Sequence, residues 1–105
     1  MSNKTTMLLC AAALALLGQP AAATPEDAMN KAGCMACHAK DKKLVGPAFK
    51  DIAAKYKGQD VIATLAAKVR AGGKGVWGPI PMSPTGPDKI GDAELKEALA
   101  WVLKQ

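Results

Sequence analysis

The sequence predicts a small all-α domain of about four short helices, and three observations carry that prediction. Apolar residues recur at helical spacing in stretches that end at Gly or Pro. No stretch alternates apolar and polar residues in the manner of a half-buried strand. Ala is the commonest residue in the hydrophobic half of the composition, with one Phe, one Tyr and two Trp, so the helices bring little bulk to a core.

The first segment stands apart from the fold. Lys4 gives a short basic start, Met7 to Leu17 is a continuous apolar run, and Ala21-Ala22-Ala23 offers the small residues that a signal peptidase needs. The run is shorter than the roughly 20 residues a resident membrane helix requires. Residues 1–23 therefore read as a cleaved signal peptide, taking Cys10 with it, and 24–105 as one mature domain in the periplasm. So short a chain buries a modest share of its surface and needs help from a metal, disulfide or cofactor.

Within the mature part, Thr24 is the expected N-cap of the first helix. Pro25 follows at the first helical position and Glu26 and Asp27 in the first turn; the helix runs to about Ala32 and ends at Gly33. A second helix follows Gly46-Pro47, with Phe49, Ile52, Ala53 and Tyr56 on one face and Gly58 as its stop. Asp60 is the expected cap of a third, whose stripe is Ile62, Leu65, Ala66 and Val69 and which ends at Gly72-Gly73. Lys74 to Gly91 is rich in Gly and Pro, without periodicity; a loop of that length in a compact domain is usually functional. The last helix begins near Asp92, with Leu95, Leu99, Val102 and Leu103 as its buried stripe.

The formal net charge is +5, of which Lys4 in the leader supplies one unit. The lysines are scattered and no aromatic residues interleave with them, which argues against nucleic-acid binding and for docking to an acidic protein partner.

Cys34-Met35-Ala36-Cys37-His38 is C-x-x-C-H, the attachment pattern of a c-type haem. Two thiols must reach two vinyl groups on one porphyrin, and the next residue must put an imidazole nitrogen under the iron; one helical turn does both. A thioredoxin-like reading needs a βαβ pattern, and no strands are predicted. A closed zinc site needs four ligands, and the mature chain has no further Cys or His. A plain disulfide leaves the adjacent His unexplained. Of the mature methionines, Met35 lies between the thioether cysteines, and Met29 precedes the motif by barely two turns and suits a core position. Met82, between Pro81 and Pro84 in the stiff loop, is the candidate second ligand to the iron, beside His38. A thioether raises the reduction potential relative to two imidazoles and fills the sixth position, which favours an electron carrier over an enzyme.

The stretches GCMACH, LVGPAFKDIAAKY, GVWGPIPM and AWVLKQ resemble the small bacterial class I cytochromes c of the c-551 type, over nearly the whole mature chain. The resemblance implies the class I cytochrome c fold, wrapped around one haem c that is held by Cys34 and Cys37 and ligated by His38 and Met82. It implies that the Pro47 carbonyl accepts the His38 ring N–H and that Trp77 donates its indole N–H to a haem propionate. Lys68 would lie near the same propionate, and Trp101 would pack against the haem from the last helix. It further implies a monomeric periplasmic electron shuttle, drawing on the cytochrome bc1 complex and serving nitrite reductase, terminal oxidases or cytochrome c peroxidase. The chain departs from the pattern in a longer loop after Met82, in Thr85 where an amide is common, and in Met29 where a larger aromatic is usual. The competing function is a haem-based gas binder or peroxidase-like protein with a displaceable sixth ligand. A third, a thiol–disulfide oxidoreductase, requires two free or reversibly oxidised thiols.

Overall fold

The computed structural model describes residues 23–105. The leader expected over residues 1–23 thus lies, but for its last residue, outside the described residues. In chain order the elements are α1 (Pro25–Ala32), a 3₁₀ turn (Cys34–Ala36), α2 (Phe49–Lys55), α3 (Ile62–Ala71), β1 (Gly73–Gly75), β2 (Gly78–Met82) and α4 (Asp92–Val102).

The start of α1 is a reciprocal capping box. The Thr24 hydroxyl accepts the Asp27 N–H at 3.1 Å, and the Asp27 carboxylate accepts the Thr24 N–H at 3.2 Å. Gly33 ends the helix with φ 88°, a left-handed conformation that costs glycine nothing, and so turns the chain directly into Cys34. At α4 the Gly91 N–H donates to Glu94 Oε1 at 3.4 Å. Ile90, just before this cap, and Leu95, in the first turn and a half, are both buried in the core, the arrangement of a hydrophobic staple.

The core is the contact between the two terminal helices. Ala28 and Met29 of α1 meet Leu95, Ala98, Leu99 and Val102 of α4, with Phe49 and Ile90 completing the cluster. Met29 fills the core position expected of it. Burial of each of the two leucines is worth about 1.5–3 kcal/mol. The α3 stripe of Ile62, Leu65, Ala66 and Val69 packs against this cluster only half-buried, and no residue of α3 is fully buried.

Three expectations need correction. The segment after Gly73 is not wholly irregular: β1 and β2 pair antiparallel, Gly73 with Met82 and Gly75 with Gly78, around the turn Val76-Trp77. The positive φ of Gly75 (113°) and Gly78 (109°) lets this turn close, and Pro79 and Pro81, which lack N–H groups, are tolerated because a two-stranded ribbon is all edge. Asp60 does not cap α3; Val61 holds that place with no side-chain bond. Leu103 is the C-cap of α4 and only half-buried, while the buried face includes Ala98 instead. A small residue there suits close packing against α1.

Candidate functional site

The motif occupies the 3₁₀ turn that Gly33 launches. The N–H groups of Cys37 and His38 both donate to the Cys34 carbonyl, at 3.2 and 3.0 Å. With three residues per turn, residues i and i+3 of a 3₁₀ helix lie one above the other, so Cys34 and Cys37 share a side. Cys34 is half-buried and Cys37 exposed. Burial, reinforced by the neighbouring Cys37, pushes the Cys34 thiol above its ordinary value and outweighs the opposing backbone hydrogen bond.

His38 follows at once and is held from three directions. Its Nδ1–H donates to the Pro47 carbonyl at 2.8 Å. A carbonyl can only accept, so this bond fixes the proton on Nδ1 and leaves Nε2 as the free, lone-pair-bearing nitrogen. The ring also lies against the backbone of Gly46: a Cβ there would fall 2.5 Å from Cε1 and 2.9 Å from Nδ1. Phe49 stacks on the imidazole with centroids 5.4 Å apart and planes 19° apart, and Trp101 meets Phe49 edge-on at 5.7 Å and 86°. A chain of rings thus ties the motif to α4. The intervening loop is fastened by Gly46 N–H to the Cys37 carbonyl at 2.8 Å and Phe49 N–H to the Ala39 carbonyl at 2.9 Å.

The remaining candidates come from α3 and the hairpin. Met82 ends β2 and is 37% exposed; Trp77 lies in the hairpin turn and is 41% exposed. Lys68, exposed on α3, carries its ammonium to within 3.9 Å of where a Gly73 side chain would begin. The structure thus joins Cys34, Cys37, His38, Pro47 and Trp101 into one group, and sets Met82, Trp77 and Lys68 in a second, on different elements. Sequence reasoning missed four participants. Gly46 and Phe49 read in the sequence only as the start and the apolar face of the second helix, not as walls of the His38 ring. The Lys55 ammonium sits 5.5 Å from the Trp77 ring and 5.8 Å from that of Tyr56. Arg70 joins α3 to the segment beyond Met82.

These residues fit haem c. Two thiols share a side of one turn, and the following imidazole presents a bare Nε2 of fixed tautomer. Large apolar side chains lie exposed at Leu44 and Val45 beside the motif and at Val76, Trp77, Ile80 and Met82 on the hairpin, the apolar surface that a flat porphyrin needs. Cys34 and Cys37 would hold the macrocycle; imidazole and thioether are ligands that bind haem iron. Among the described residues no cluster of three or more His, Cys, Asp or Glu is placed to hold a bare metal ion.

Comparison with known proteins points the same way. A family model for cytochrome c matches residues 22–105. Cytochrome c-551 of Azotobacter vinelandii is 53% identical over 81 residues, covering 76% of this chain and 95% of that protein. Cytochrome c-552 of Nitrosomonas europaea is 46% identical over 101 residues, 95% of this chain and 96% of that one. The crystal structure of wild-type Nitrosomonas europaea cytochrome c552 superposes with a TM-score of 0.67 at 45% identity, over 75% of this chain and 96% of the other.

Proposed function

Since this chain belongs to the cytochrome c family, as a class I member of the c-551 type with covalently attached haem c, we propose that it is a periplasmic one-electron shuttle whose iron is ligated by His38 and Met82. Its relatives are cytochromes c-551 and c-552, and this chain reads with them as an electron carrier rather than an enzyme. When bound, the haem supplies an iron that takes up and gives up a single electron; the chain's own residues set how readily it does so.

The observation that carries the reading is the 2.8 Å bond from His38 Nδ1–H to the Pro47 carbonyl, which leaves Nε2 free for the iron. A hydrogen-bonded imidazole is a stronger donor and favours the oxidised metal, while a thioether on the opposite face favours the reduced one. Trp77 would hold a propionate through its indole N–H, Lys68 would balance that propionate's charge, and Trp101 would pack against the haem from α4. Haem held by Cys34 and Cys37 would supply the edge through which a single electron passes to a partner. Leu44, Ile80 and Pro81 give an apolar contact there, and Lys42 and Lys43 steer an acidic partner. Its partners are redox proteins of the respiratory chain; the resemblance offers the cytochrome bc1 complex as an example of the donor, and a nitrite reductase, a terminal oxidase or a cytochrome c peroxidase as examples of the acceptor. The protein works as a monomer, after residues 1–23 have been removed on export.

Carbon monoxide tests the reading. The reduced holoprotein at neutral pH is expected not to bind it, and Met82→Ala is expected to bind it readily and to have a lower potential. Ready binding by the unaltered protein would instead mean a displaceable sixth ligand and a gas-binding or peroxidase-like role.

A further inference from the structure

The chain leaving Met82 is not left to hang. A side chain at Gly72 would collide with the Met82 carbonyl (2.5 Å) and the Pro84 nitrogen (2.8 Å), so Met82-Ser83-Pro84 lies flat on the end of α3. Three residues on, the Thr85 N–H donates to the Val69 carbonyl at 2.9 Å. The Thr85 carbonyl in turn accepts from Arg70 Nη1 at 3.2 Å. The other arm of the same guanidinium, Nη2, meets Asp92 Oδ1 at 2.7 Å in the first turn of α4.

We infer that Arg70 is a positioning residue for the Met82 thioether: its forked guanidinium clamps the outgoing strand of the Met82 segment between α3 and α4, and so holds the sulfur at its working distance. The inference rests on the reading of Met82 as the iron's second ligand. Its physical basis is the geometry of the fork. Arginine presents donors in a fixed plane, so one side chain can grip a backbone carbonyl and a carboxylate at once. The two grips differ in weight. The Arg70 side chain retains only 23% of its accessible surface, so its bond to the Thr85 carbonyl is partly shielded from water, whereas the Asp92 side chain is 86% exposed and its charge is largely screened. The incoming strand, β2, is held by pairing with β1, and the outgoing strand has Arg70 and the Thr85 N–H. A thioether is a weak ligand, so the loop that carries it decides whether a stronger ligand can displace it.

The test is imidazole titration of the oxidised holoprotein, followed by loss of the sulfur-to-iron charge-transfer band. Arg70→Gln is expected to raise the apparent imidazole affinity about tenfold, the weight of a hydrogen bond to a charged donor. Asp92→Asn is expected to raise it about twofold, in line with a screened ion pair. Thr24→Ala, at the α1 cap far along the chain, lowers thermal stability but is expected to leave imidazole affinity unchanged, which separates positioning from general loosening. Unaltered affinity in Arg70→Gln, or an equal rise in Thr24→Ala, overturns the inference. Should Arg70→Gln not mature, Asp92→Asn decides alone: a rise supports the clamp and no change refutes it. A parent protein without the charge-transfer band would sink the Met82 reading and the clamp with it; a parent with the band but insensitive variants sinks only the clamp.

Discussion

Replacing Gly46 with alanine tests how firmly the imidazole of His38 is held. The new Cβ would lie 2.5 Å from His38 Cε1, 2.9 Å from Nδ1 and 3.0 Å from Nε2. Carbon atoms in ordinary contact sit about 3.5–4.0 Å apart, so ring or backbone must move by about 1 Å. Such a shift stretches the 2.8 Å bond from Nδ1 to the Pro47 carbonyl past the range of a hydrogen bond. Losing that bond costs about 1 kcal/mol, and overpacking costs about 1–3 kcal/mol more. Alanine recovers about 0.5 kcal/mol by restricting the unfolded chain. The net expectation is a holoprotein less stable by about 1.5–3.5 kcal/mol, read by denaturant unfolding at constant slope. The potential moves with it. A free Nδ1–H makes the imidazole a weaker donor, so the oxidised iron loses support and the potential rises. A Gly46→Ala holoprotein within about 0.5 kcal/mol of the parent, the range of neutral surface changes, and with the same potential, would refute the idea that this contact sets the ring.

Other consequences can be checked on the same material. Leu95→Ala removes a core side chain that closes both the α1–α4 contact and the Ile90 staple; unfolding should show a loss of about 2–5 kcal/mol. Phe49→Leu keeps an apolar residue at a buried site but removes the ring between His38 and Trp101; a loss of about 1–3 kcal/mol is expected, with a shift in the His38 ring resonances as the specific sign. Electron transfer to an acidic partner should slow as salt rises, because the Debye length falls from about 30 Å at 0.01 M to about 8 Å at 0.15 M. Reversing Lys42 and Lys43 to Glu should remove most of that salt dependence in stopped-flow measurements.

Much of the fold was legible because its punctuation is local. Thr24, Pro25 and Gly33 frame α1 by capping chemistry that needs no tertiary partner, and the C-x-x-C-H spacing is set by the reaction it serves. What escaped the sequence depends on partners distant in the chain. The hairpin is written in Gly and Pro, which carry no alternating pattern, and it forms because glycines of positive φ close its turn. Ile90 sits in a stretch that reads as structureless yet is 2% exposed; its place just before the cap of α4, five residues ahead of Leu95, was the available signal. The choice of Val61 over Asp60 as the α3 cap is a shift of one residue, within the ordinary play of helix ends. Arg70 had no signal of its own, since an arginine in the last turn of a helix is usual there with or without Asp92 and Thr85 to grip.

The central claim is that one macrocycle is bonded to Cys34 and Cys37 and ligated by His38 on one face and Met82 on the other. The visible spectrum of the purified holoprotein, oxidised and then reduced, tests it most directly. Sharp α and β bands on reduction and a weak sulfur-to-iron charge-transfer band on oxidation are predicted, the latter vanishing in Met82→Ala. A colourless native protein, or an oxidised spectrum that Met82→Ala leaves unchanged, would contradict it.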